Sequence, residues 1–158
     1  MTWRGSTTPQ ERLFACLPYL LPVLDGLSFA APFFNQFPAL TPILIPLQPL
    51  MAIYRFPFAS LIIFFMLFLL VVRNERVSHF IRFNAMQAIL LMIVLFLCQL
   101  VFQYILQPAL QGGLIMETLS NVVFLGTIAA VVYSVVQSAL GRYAEIPTLS
   151  DAVYMQVR

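Results

Sequence analysis

The 158-residue sequence contains no lysine, and only 9% of its residues carry charge: eight arginines and six acids. A soluble domain carries about 25% charged residues. A chain with 61% apolar residues and so few charges cannot cover a globule with polar surface. Residues 26–54, 56–72, 83–116 and 118–141 hold no Asp, Glu, Lys or Arg. Runs of that length match the roughly 17–25 apolar residues that a bilayer-crossing helix needs. The scarcity of other chemistry excludes more. With one histidine, His79, and no HExxH, CxxC, glycine-rich phosphate loop or paired acids within a span, the sequence supports no catalytic site, cofactor site or metal site. No basic stripe interleaved with aromatics points to nucleic acid. The two cysteines, Cys16 and Cys98, fall in separate spans at depths about 15 Å apart, too far for a disulfide, and read as small packing residues. The short first stretch and the proline-containing segment after it lack the cleavage pattern of a signal peptide, so none is expected.

What is present is an all-α, polytopic membrane protein in a single domain, 1–158. The expected spans are 10–29, 58–72, 80–107 and 114–140, followed by a polar tail, 141–158. Pro18 and Pro22 should kink the first span, a distortion that membrane helices tolerate when neighbours satisfy the freed carbonyls. Residues 30–57 are apolar, yet Pro38, Pro42 and Pro46 recur every four residues, with Pro32, Pro49 and Pro57 around them. Each interior proline removes a backbone bond and clashes with the preceding turn. This segment is expected to lie in the interface or dip partway in, in short helical turns. Pro108, Gly112 and Gly113 should end the third span, and Gly141 should cap the fourth. Thr148 and Asp151 suggest a short capped helix in the tail.

Four spans put Arg4, Arg12, Arg73, Arg76, Arg82, Arg142 and Arg158 on one side and Arg55 alone on the other. By the positive-inside rule both termini should then be cytoplasmic or stromal. A fifth span through 36–54 would abolish this asymmetry.

Polar residues within or beside the spans are the candidate functional groups. The turn RNERVSHFIRFNAMQ (73–87) supplies Arg73, Arg76, His79, Arg82, Asn84 and Gln87. Two readings stand: a turn tied by polar bonds, with Glu75 and His79 spaced for an i,i+4 ion pair, or a docking site at the cytoplasmic mouth. Gln99, Gln103 and Gln107 recur at i+4 on one helix face, either lining a polar path or bonding to other helices. Gly126, Ala130, Ser134 and Ser138 form a small-residue stripe suited to close helix packing within the bundle or between subunits. Asp25, the one acid inside the first span, reads as an interfacial turn residue or as a buried partner for an arginine or a substrate.

The stretches LLPVLDGLS (20–28), FPFASLIIFFMLFLLVVRN (56–74), VSHFIRFNAMQAILL (77–91) and IPTLSDAVYMQV (146–157) carry a resemblance over most of the chain. They are similar to the twenty-kilodalton subunit family of the chloroplast inner-envelope protein translocon and its cyanobacterial and plastid-encoded relatives. RFNAMQA and SDAVYMQV are the most specific. The resemblance implies four membrane helices, both termini on the cytoplasmic or stromal face, and work in a protein-transport complex in a plastid inner envelope or a cyanobacterial plasma membrane. Because nuclear-encoded members carry a transit extension and none is visible here, the bacterial or plastid-encoded branch is expected. The absence of lysine favours a GC-rich cyanobacterial genome. Expected partners are membrane lipid, other translocon or membrane-protein subunits, and further copies of the chain, since four spans alone cannot enclose a wide pore. A non-conducting scaffold or assembly factor is the alternative, and a small-solute transporter a third.

Overall fold

The structure is a computed structural model and describes residues 6–157. Its elements are α1 (Pro9–Phe29), α2 (Ala31–Gln36), α3 (Pro38–Tyr54), α4 (Ala59–Val72), α5 (His79–Leu110), α6 (Leu114–Ala139) and α7 (Leu149–Gln156). Among the described residues there is no strand. α1, α5 and α6 are each long and apolar enough to cross a membrane. The protein is an all-α polytopic membrane protein.

Local chemistry sets the boundaries. Thr8 caps α1 reciprocally: its Oγ1 accepts from Glu11 N at 3.3 Å, and Glu11 Oε2 accepts from Thr8 N at 2.8 Å. Pro9 occupies the first helical position, where a missing N–H costs nothing. Pro18 and Pro22 remove two further donors, and α1 tightens into a 3₁₀ turn at Leu17–Tyr19 and another at Leu27–Phe29. α5 widens into a π-turn at Phe102–Leu106, just before Pro108, whose ring would clash with the carbonyl four residues back. The α5–α6 turn uses left-handed backbone at Gln111, Gly112 and Gly113. α6 ends in the expected glycine cap at Gly141 (φ 74): Gly141 N donates to Ser138 O at 2.9 Å and Arg142 N to Gln137 O at 2.9 Å, the paired bonds of a Schellman motif.

The proline-rich segment forms short helical turns: α2, a ten-residue 3₁₀ stretch (Pro38–Leu47) and α-helical turns at Gln48–Tyr54. The corner to α4 falls at Phe58, in left-handed backbone (φ 64), and α3 and α4 meet at 95°. α4 alone reaches roughly 20 Å, less than the ~30 Å hydrocarbon core. Taken together with bent α3 it is long and apolar enough for one further candidate span.

The core is stacked in three layers along the bundle. Val72, Phe83, Met86, Ile89, Val153 and Val157 form one end. Tyr19, Ala88, Leu91 and Val131 form the middle, and Phe29, Ala30, Leu95 and Phe124 the other end. α1 lies between α5 and α6, while α4 and α7 pack on α5. Large apolar side chains such as Phe14, Leu61, Phe65, Leu69, Phe96 and Ile115 face outward, as they should where the solvent is lipid. α1 and α6 approach closely at Gly26, where an added Cβ would sit 3.0 Å from Thr127 Cγ2.

One end of the bundle gathers the N-terminal residues, the 73–78 turn and the tail. Gly141 abuts Thr7 and Arg12, Arg82 Nε donates to Val72 O at 2.9 Å, and His79 meets Tyr143 and Val157. Arg12, Arg73, Arg76, Arg82 and Arg142 therefore share that end; Arg4 and Arg158 lie outside the described residues. The tail helix α7 forms, but Thr148 (φ 70) makes no side-chain cap. Ser150 does the local work instead, its Oγ accepting from Ile146 N at 2.7 Å.

Candidate functional site

The arginine-rich end encloses a hydrogen-bonded polar core. α5 opens on Ser78, whose Oγ accepts from Ile81 N at 3.5 Å, and its first turns carry Asn84 and Gln87, both 0% exposed. Buried amides must find partners, and these do. Asn84 Oδ1 accepts from Tyr19 Oη at 2.9 Å and from Ser138 Oγ at 2.7 Å, and its Nδ2 donates to Phe80 O at 2.8 Å. Gln87 Nε2 donates to Tyr19 Oη at 3.1 Å and Ser134 Oγ at 3.3 Å, while its Oε1 accepts from Ser150 Oγ at 3.3 Å. Two residues three apart on α5 and two residues four apart on α6 present one face each, and Tyr19 of α1 closes the centre. Six neutral side chains from α1, α5, α6 and α7 thus form one network.

Around this core, Tyr143 packs edge-on against Phe80 and Phe83, with ring centroids 5.2 and 5.0 Å away. His79 Nδ1 lies 3.0 Å from Tyr143 Oη, and its Nε2 lies 3.4 Å from Val157 O. The Nε2-protonated tautomer satisfies both contacts. Arg82 caps the last carbonyl of α4, Val72 O.

The six residues grouped as a docking surface therefore separate. Arg73 and Arg76 are exposed, His79 and Arg82 are half-buried and bonded within the protein, and Asn84 and Gln87 are interior. Asn84 and Gln87 are spent on bonds inside the bundle rather than presented at its surface. The Glu75–His79 spacing does not act as i,i+4 either, because α5 begins only at His79 and Glu75 lies in the preceding turn.

The other candidates lie elsewhere. Gln99, Gln103 and Gln107 are all exposed on the outer surface of α5. The π-turn between Gln99 and Gln107 alters their phase, so the straight-helix face expected from i+4 spacing is not kept. In the small-residue stripe, Ser134 and Ser138 are buried and bonded, Ala130 is half-buried, and Gly126 is exposed with open space where a Cβ would stand. Phe124, Thr127 and Val131 face inward at the level of Gly126, which leaves Gly126 on the outer surface of α6. Asp25 is half-buried beside a cleft, away from the polar core. Cys16 and Cys98 are free thiols.

Tyr19, Gly26, Tyr143 and Ser150 were not singled out from sequence. Tyr19 had one signal, a phenol within an apolar span, which must be satisfied internally. Neutral amides and hydroxyls bonded to one another hold helices in register; the network contains no acid–base pair, and among the described residues no group of three His, Cys, Asp or Glu side chains gathers for a metal.

The two most specific stretches of the sequence, RFNAMQA and SDAVYMQV, are in contact here, through Gln87–Ser150 and through Phe83 against Tyr154, ring centroids 5.0 Å apart. A family profile described as chloroplast import apparatus Tic20-like matches residues 7–153. The chain belongs to the Tic20 family. It is 53% identical to a Tic20 family protein of Synechocystis over 159 residues, covering 100% of this chain and 99% of the relative. It is 37% identical to protein TIC 20-II, chloroplastic, of Arabidopsis thaliana, over 99% of this chain and 78% of that protein. It is 34% identical to the Tic20 family protein Ycf60 of the alga Gracilaria tenuistipitata, over 93% and 75%. The Tic20 match spans every element from α1 into α7, so the polar core lies wholly within the family region.

Proposed function

We propose that this Tic20 family chain is a subunit of a polypeptide-transport complex and works with other membrane subunits. The observation that carries this reading is the match of residues 7–153 to a family described as import apparatus. The geometry shapes the proposal. The bundle spends its interior polar groups on bonding α1, α5, α6 and α7 to one another, whereas Gln99, Gln103 and Gln107 point outward. A polar path bordered by these glutamines would run between this chain and a neighbouring subunit, which satisfies glutamines that lipid cannot. Arg73 and Arg76, exposed at the bundle end, remain as docking groups for an acidic partner or polypeptide. The arginine-rich end, and both termini with it, faces the cytoplasm or stroma.

Photoreactive residues at Gln99 and Gln103, activated in intact membranes during active transport, test this. Capture of a translocating chain supports the conducting role. Capture of lipid alone removes it. A second reading, a non-conducting scaffold, is supported by the same outward glutamines and by exposed Gly126; a stable neighbour subunit captured at Gln99, with no polypeptide in transit, would favour it.

A further inference from the structure

Between α1, α4 and α5 lies a cleft of about 380 Å³ lined by Asp25, Ser60, Leu61, Phe64, Leu95, Phe96 and Gln99, among others. Leu61, Ile93 and Phe96, on its rim, are 51%, 38% and 59% exposed on the lipid-facing surface. A carboxylate in such a place is costly unless it is paired. Asp25 bonds only through its backbone: its carbonyl accepts from Ser28 Oγ at 2.7 Å, and no described residue bonds its carboxylate. Among the described residues no basic side chain lines the cleft. Arg55, just before α4, is exposed and lines another groove. A second polar group is orphaned beside it. The Tyr54 hydroxyl is buried without a hydrogen-bond partner and lies within electrostatic reach of Asp25, across the contact of α1 with α3.

We propose that this cleft binds an organic ammonium group carried on an apolar body, entering from the membrane. The lining suits that class. Asp25 supplies the countercharge, Ser60 and Gln99 carry oxygens able to accept hydrogen bonds, and Phe64 and Phe96 add aromatic rings of the kind that attract cations. Leu61, Met92, Ile93 and Leu95 take the apolar portion. The volume falls within the range of small-molecule sites and is far too small for a helix. An anionic head is disfavoured by Asp25 with no compensating cation. The site stands apart from the polar core and does not depend on a transport role.

The test uses the full chain in dodecyl maltoside micelles with photoreactive dodecylamine as probe. Adducts are expected in peptides containing Leu61–Phe64 and Met92–Phe96. Unlabelled dodecylamine should compete at least tenfold better than 1-dodecanol or dodecanoate, and butylamine should not compete. Asp25→Asn should weaken labelling at least tenfold, and Tyr54→Phe less. Equal competition by dodecanol overturns the charge requirement, and equal competition by butylamine overturns entry from the membrane. Because the amine–alcohol comparison is made on the unaltered chain, misfolding of Asp25→Asn leaves the proposal falsifiable. In intact membranes, a crosslinker at Ser60 that captures a protein helix in place of the amine also overturns it.

Discussion

Ser150 donates through Oγ to Gln87 Oε1 at 3.3 Å, so the tail helix is fastened to the first turns of α5 across 63 residues of sequence. Val153 and Val157 are fully buried beside this bond, against Phe83, Met86 and Ile89. The tail is thus part of the bundle rather than a polar appendage to it.

Removal of residues 148–158 should destabilise the protein by about 3 kcal/mol or more, from two buried valines at roughly 1.5 kcal/mol each and an unpaired Gln87 carbonyl. Thermal unfolding in detergent, followed by intrinsic fluorescence, measures it. An unchanged midpoint would show that the tail contributes no packing.

Asn84→Leu should lower stability by about 1–3 kcal/mol, because Tyr19 and Ser138 both lose their acceptor. Adding Ser138→Ala to Asn84→Leu should restore part of the loss, since the Ser138 hydroxyl is then no longer stranded, whereas Tyr19 must stay because its Oη accepts from Gln87 Nε2 at 3.1 Å. A double variant less stable than the single one would contradict the network.

Gly26 and Gly126 should respond oppositely to alanine. Gly26→Ala forces a methyl against Thr127, whose Oγ1 is held by Val123 O at 2.8 Å, and should cost about 1–3 kcal/mol. Gly126→Ala meets open space and should be neutral or stabilising by up to about 1 kcal/mol from helix propensity. Paired melting curves in one detergent compare them.

In a Cys16→Ala, Cys98→Ala background, single cysteines at Thr7 and Asn74 should react with an impermeant maleimide from the same side of the membrane, and one at Glu117 from the other. A cysteine at Thr41 reports the α3 segment. Accessibility of Thr7 and Glu117 from one face would require an odd number of crossings between them to be abandoned.

Much of this was readable from residues in order. The resemblance carried by RFNAMQA and SDAVYMQV led to the Tic20 family, and Gly112, Gly113 and Gly141 marked ends that the helices obey, whereas α5 runs on through Pro108 to Leu110. The fate of the polar groups was not readable. Asn84 and Gln87 adjoin the arginine turn in sequence yet sit at the centre of the bundle, whereas Gln99 and Gln103, deep in an apolar run, face out. Helical spacing shows which residues share a face but not which face meets protein.

Composition and the placement of charge alone determined that the chain is all-α and polytopic in a membrane, because bilayer partitioning is a local property that adds along the chain. The rotation of each rod, the 3₁₀ and π-turns that shift its phase, the Tyr19–Asn84–Gln87 core, the Gly26–Thr127 contact and the seating of the tail were decided only by tertiary structure. Each requires groups far apart in sequence to satisfy one another's hydrogen bonds and volume at once, and no single stretch carries that information.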